Sequence, residues 1–216
     1  QLRSDLMADP YFKRVPSMQV ERGKTARAFH AKDDVAEVRR EVLKVLMGCD
    51  VRFYGVVRHK SALLDYVRQR NEREAEYRYR GDELYDTLVE ELFRRYHPLA
   101  DRLEICFAKR GNKSRTQAFR LAIEKAEARF EREYGVRRSV ELAIVASTPP
   151  ERAGLQAVDY YLWALQRHYE RDESRYVELI WDKVVEIEDM DLIEGSRKGV
   201  VYNKKRPLIV DQEASE

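Results

Sequence analysis

The sequence predicts an α/β domain, on three observations. Short apolar runs at 51–57, 103–108 and 140–146 are strand-length and rich in β-branched and aromatic residues. Each is followed by a turn and then by a segment whose apolar residues recur with helical spacing. With 216 residues and 44% hydrophobic content, the chain has enough apolar mass to bury a core rather than stay disordered. Strands alternating with helices of this length call for parallel neighbours joined by right-handed crossovers. The three strands are therefore expected to share one sheet, with helices near 35–47, 82–96, 114–134 and 155–170 packed on it.

The elements follow in order. Residues 1–9 read as the tail of a helix stopped at Asp9-Pro10, and 11–28 as a connecting segment interrupted by Pro16 and Gly23. Val35, Val38, Val42, Val45 and Leu46 keep helical spacing up to Gly48, and Asp34 with Glu37 three residues on has the form of a capping box, so Asp34 is read as a helix N-cap, with metal ligation as its competing role. After the first strand, the mixed-sign tract 65–80 reads as a solvated helix or connector. Gly81-Asp82 opens a helix with the stripe Tyr85, Leu88, Val89, Leu92, Phe93 and Tyr96, closed by His97-Pro98.

Beyond the second strand, Phe119, Ala122, Ile123, Ala126 and Phe130 mark one face of a long helix ended by Tyr134-Gly135. The third strand turns at Ser147-Thr148-Pro149-Pro150 into a helix whose apolar arc, at about 100° per residue, is Leu155, Val158, Leu162, Leu165 and Tyr169. A further helix carries Tyr176, Leu179, Ile180 and Val184, after which 185–192 and Val200-Val201-Tyr202 suggest a hairpin. The alternating Glu186, Glu188, Asp189 and Asp191 read as a solvated face without chemistry. The organisation expected is a helix end and connector over 1–28, an α/β domain over 29–185 and an extension over 186–216. The start at Gln1, inside a helix end, suggests that further chain precedes it.

Composition narrows the function classes. The 41 basic and 39 acidic residues leave a net charge of +2, so any nucleic-acid site must be local rather than a property of the whole surface. No apolar run reaches the roughly 18 residues of a membrane span, and no signal-peptide stretch opens the chain. Cys49 and Cys106 lack CxxC spacing, and Cys106 sits in a strand as a small hydrophobe; both fit a reducing, cytoplasmic setting.

Asp159 is the leading site candidate. It projects at the shoulder of its helix's apolar arc, with Gln156 three residues back to hydrogen-bond beside it and no Lys or Arg at i±3 or i±4. The competing role is an Asp hydrogen-bonded to a neighbouring loop. A second candidate is the turn Lys109-Arg110-Gly111-Asn112-Lys113-Ser114-Arg115, where Lys109, Arg110, Lys113 and Arg115 surround a helix start and a glycine suited to close phosphate approach. Its competing role is an ordinary solvated turn.

Phe29-His30-Ala31-Lys32-Asp33-Asp34, the turn Phe107 to Arg115 and Leu155-Gln156-Ala157-Val158-Asp159-Tyr160 together resemble the family called domain of unknown function 3800. The resemblance runs from about Asp9 to the C-terminal strand. It implies a ribonuclease H-like domain and a nuclease dependent on a divalent metal, Mg²⁺ or Mn²⁺, with nucleic acid as partner. The family's first strand carries an Asp-Glu-Ser-Gly motif that this sequence lacks, and a family Asp before the basic turn falls at about Ala108. Two-metal phosphodiester hydrolysis needs several converging carboxylates. Asp159 therefore needs companions, which His30 and Asp33 supply if their loop folds back over the strand ends. The expected catalytic set is Asp159, His30 and Asp33, with Asp159 and Asp33 as metal ligands and Gln156 orienting. The competing expectation is a non-catalytic module binding nucleic acid or protein on the same fold.

Overall fold

In the computed structural model, residues 1–20, 23–96, 102–109, 116–135 and 140–209 are described. The protein is α/β, and its chain divides into two compact units.

The first unit comprises Gln1–Phe53 and Ser147–Val185, together with Ile209. It contains α1 (Leu2–Ala8), α2 (Ala36–Gly48), α3 (Ala153–Arg171) and the short α4 (Arg175–Ile180). α2 buries Val38, Val42, Leu43 and Leu46, positions that line one helical face. α3 buries Leu155, Tyr160, Tyr161, Ala164 and Leu165, leaving Val158 40% and Leu162 51% exposed. The apolar arc expected for this helix is thus only half right, because the buried face is turned toward the two tyrosines. Tyr161 stacks on Phe53 with ring centroids 5.1 Å apart. α3 ends at Asp172, whose left-handed backbone (φ 54°) lets the last turn close on itself: the N–H groups of Asp172 and Glu173 donate to the carbonyls of His168 and Arg167.

The second unit comprises Tyr54–Ala146 and Glu186–Leu208. Its strands lie in two sheets. One has the order β1-β4-β5, formed by β1 (Phe53–Val57), β4 (Val184–Glu194) and β5 (Arg197–Tyr202). β4 and β5 are the expected hairpin, antiparallel from Ile187 opposite Tyr202 to Glu194 opposite Arg197, with an irregularity between Asp189 and Ile193. The other sheet pairs β2 (Arg102–Ala108) with β3 (Glu141–Ser147), parallel strands joined by the crossover helix α7 (Thr116–Tyr134). The remaining helices are α5 (Lys60–Arg73), which buries no side chain, and α6 (Gly81–Tyr96).

The expectation that 51–57, 103–108 and 140–146 share a sheet is therefore not met. β1 pairs with the acidic strand β4, whereas β2 and β3 pair with each other. The residue pattern explains the separation. In β2, Ile105 and Phe107 are buried while Glu104 is exposed; with Leu142, Ile144 and Ala146 of β3 they form a single apolar face under α6 and α7. A strand with one apolar face suits a small sheet covered on that face, not the middle of a doubly covered one. Phe119 anchors the core, stacked on Phe107 at 4.8 Å and edge-on to Phe93 at 5.9 Å. Gly135, at φ +68°, ends α7 where the sequence places the stop.

β4 also corrects the reading of its carboxylates as a solvated face. Asp189 is fully buried and Glu188 nearly so. Asp189 accepts the backbone N–H groups of Asp191 and Leu192 and lies 2.8 Å from His59 Nε2, while Asp191 accepts the His59 N–H at 2.7 Å. In a strand, positions 186 and 188 point to one face and 189 and 191 to the other, so the four carboxylates cannot form one solvated face.

Candidate functional site

The site grows from three polar side chains of α3. Gln156, Asp159 and Tyr160 stand at i, i+3 and i+4, so they project from one side of the helix. All three reach the loop from Phe29 to Asp34. Gln156 Oε1 accepts the Phe29 N–H at 2.9 Å while its Nε2 donates to the Pro149 carbonyl at 2.6 Å. Asp159 Oδ2 accepts the Ala31 N–H at 2.8 Å. The Tyr160 hydroxyl donates to Asp34 Oδ2 at 2.5 Å. Asp34 also takes the Thr25 hydroxyl at 2.6 Å and the His30 N–H at 2.9 Å. Arg39, from the first turn of α2, donates to the carbonyls of Ala31 and Asp34.

Asp34 is thus no helix cap. α2 starts at Ala36 with no side-chain cap, and the Asp34 carboxylate turns inward, 2% exposed. The capping pattern identified a real helix start, but three better donors compete for the carboxylate. Burial raises the Asp34 pKa above the ordinary carboxylate value, opposed by the hydroxyls of Thr25 and Tyr160. The Tyr160 hydroxyl is pushed well above its ordinary range, by burial first and by the Asp34 carboxylate second.

The structure brings two of the expected catalytic residues together. His30 Nε2 faces Asp159 Oδ1 at 3.8 Å, with side chains 48% and 34% exposed. This exceeds a hydrogen bond, so the pair lies side by side in partial contact with solvent. Asp33 is engaged elsewhere: its Oδ2 accepts from Lys24 Nζ at 2.9 Å, and that bond holds its carboxyl below the usual range. Lys109 is exposed beyond β2, while Arg110, Lys113 and Arg115 lie outside the described residues. Gln156 orients the loop rather than the Asp159 carboxylate. Thr25 was not legible as part of the site, since nothing in its local pattern distinguishes it from other connector residues. Tyr160 was visible only as the neighbour of Asp159.

The donor set bears on a metal. One carboxylate oxygen of Asp159 is fixed by a backbone N–H; the other stands 3.8 Å from an imidazole nitrogen, wider than the roughly 3 Å between adjacent ligands of an octahedral ion with bonds of about 2.1 Å. Among the described residues no three His, Cys, Asp or Glu side chains gather as a metal cluster. The pair therefore offers two candidate ligands side by side and not a formed metal site.

Compared with protein-family models, with curated proteins and with solved structures, the chain finds no match. Among the described residues no helix is long and apolar enough to cross a membrane.

Proposed function

We propose that the protein is a ribonuclease H-like phosphodiesterase that acts on nucleic acid with Mg²⁺ or Mn²⁺, and that His30 and Asp159 form its metal-binding pair. The observation supporting this reading is the Asp159 carboxylate, one oxygen held by the Ala31 N–H and the other turned to His30 Nε2 at 3.8 Å. A carboxylate fixed in this way meets a cation without first losing rotational freedom. When bound, the ion would supply an activated water and neutralise charge on the phosphate. The protein's own contribution is placement: Gln156 and Tyr160 hold the two ends of the loop so that His30 stays opposite Asp159.

The test is a pair of measurements on wild type and Asp159→Asn: cleavage of single- and double-stranded DNA and RNA with and without Mn²⁺, and melting curves under the same conditions. Metal at ten times its Kd should stabilise wild type by about 1.4 kcal/mol. That corresponds to a rise in Tm of roughly 3 to 5 °C for a chain of this size. Asp159→Asn should lose both cleavage and the metal-induced rise.

A second reading is favoured by one observation, the hydrogen bond from Ala31 to Asp159, which already gives this carboxylate a structural task. On that reading the protein is a non-catalytic binding module. Asp159→Asn would then lower Tm equally with and without metal, and wild type would cleave nothing.

A further inference from the structure

One helical turn beyond Asp159, α3 presents Trp163, and a further turn on, Arg167; each step is about 6 Å along the axis. Trp163 is only half-buried and is framed by charge. The Arg39 guanidinium carbon lies 4.9 Å from its ring centroid and that of Arg167 lies 5.7 Å away. Tyr176, from α4, meets it edge-on at 4.5 Å, and Arg175 lies over Tyr176 at 4.7 Å. Arg39 is the same residue that braces the Ala31 carbonyl, so this cluster and the His30–Asp159 pair share a support. Glu173 takes Arg167 at 2.5 Å and has Arg175 at 3.8 Å. Together with the nearby Arg171, these arginines hold the Glu173 carboxyl below its usual range, one carboxylate among three cations.

Guanidiniums lying over two partly exposed aromatic rings offer two kinds of contact at once: outer planes on which bases can stack and cations for phosphates. A duplex hides its base faces in the stack, and an acidic peptide has no rings to stack. We propose that Trp163 and Tyr176, with Arg39, Arg167, Arg171 and Arg175, form a binding track for single-stranded nucleic acid leading to the His30–Asp159 pair. As a statement of substrate class it rests on the phosphodiesterase reading; as a binding site it stands by itself.

The experiment uses the whole chain in EDTA, so that binding is read without cleavage. A short oligo(dT), the same strand annealed to oligo(dA), and poly-glutamate are titrated against tryptophan fluorescence. The chain has two tryptophans, Trp163 and Trp181, and Trp181→Phe leaves Trp163 as sole reporter. The single strand should quench Trp163 and bind at least tenfold more tightly than the duplex or poly-glutamate. Trp163→Ala, read by the anisotropy of a dye-labelled strand because the fluorescent reporter is gone, should weaken binding roughly 5- to 150-fold, the worth of a base–aromatic stack. Arg175→Gln alters a side chain 71% exposed, so the fold is undisturbed, and it should lower the slope of log K against log salt by about 0.7. Equal affinity for duplex or poly-glutamate, or unchanged affinity in both variants, overturns the proposal. Asp159→Asn separates the two ideas: if it binds the strand as wild type does while no protein cleaves, the track stands and the phosphodiesterase reading falls. If wild type cleaves but neither variant affects strand binding, the reverse holds.

Discussion

Tyr160→Phe removes one hydroxyl from the centre of the site and leaves the ring in place, so no cavity forms and the cost isolates one hydrogen bond. That bond runs to a buried carboxylate. Hydrogen bonds to charged groups contribute about 1.5 to 3 kcal/mol, and those between neutral groups about 0.5 to 1.5 kcal/mol. Burial raises the folded-state pKa of Asp34 above its unfolded value, so the folded protein holds the proton more tightly. Asp34's own titration therefore favours folding at low pH, and this contribution is lost as pH rises from the unfolded to the folded pKa. The Tyr160 hydroxyl counters that loss by stabilising the ionised form. Above the folded pKa the variant should lose about 2 kcal/mol, and below it, where Asp34 is protonated, about 1 kcal/mol. Denaturant unfolding of both proteins across pH 4 to 8 measures the difference. Tyr161→Phe is the internal control: its buried hydroxyl has no hydrogen-bond partner among the described residues, so losing it should be neutral or stabilising. A Tyr160→Phe cost independent of pH, or no greater than that of Tyr161→Phe, would refute the assignment of Asp34 as the buried charge.

Other outcomes follow from the same contacts. Lys24→Ala should let the Asp33 carboxyl titrate closer to the ordinary carboxylate pKa, seen by NMR titration; the depressed pKa favours folding above the unfolded value and loses that effect as pH falls through the folded one. Because the Lys24 side chain is 76% exposed, stability should scarcely move. Asp189→Asn should cost roughly 1 to 3 kcal/mol in denaturant unfolding, since the fully buried carboxylate serves His59 and two backbone N–H groups. A loss below 0.5 kcal/mol on the scale expected for surface sites would return β4 to the status of a solvated strand.

Where a segment's role was set by its own periodicity, the sequence was legible. α7 buries Phe119, Ala122, Ile123 and Ala126, all on the face that spacing alone marks out. The β4–β5 hairpin was legible from the short strand signal at Val200-Val201-Tyr202 and not from any period in the acidic stretch it pairs with. α3 was legible as a helix but not in its rotation, because side chains that hydrogen-bond a distant loop outrank aliphatic content: Gln156, Asp159 and Tyr160 must face 29–34, and Val158 and Leu162 are turned outward as a result. Asp34 misled for a related reason. A local rule offered it a backbone donor three residues on, while the fold supplied Thr25, His30 and Tyr160. Sheet membership was illegible because strand pairing depends on which apolar faces the helices cover.

The bonds that fasten α3 to the loop at 29–34 join residues 126 to 128 positions apart. Local helices can form in microseconds or less, but these contacts wait for the chain to return from a long excursion, and the closure entropy must be met before any of them forms. His30 and Asp159 therefore meet only once that long loop has closed. In a ribosome-bound chain this pair cannot exist until α3 has emerged, so truncated products ending before α3 carry the loop without its partner helix.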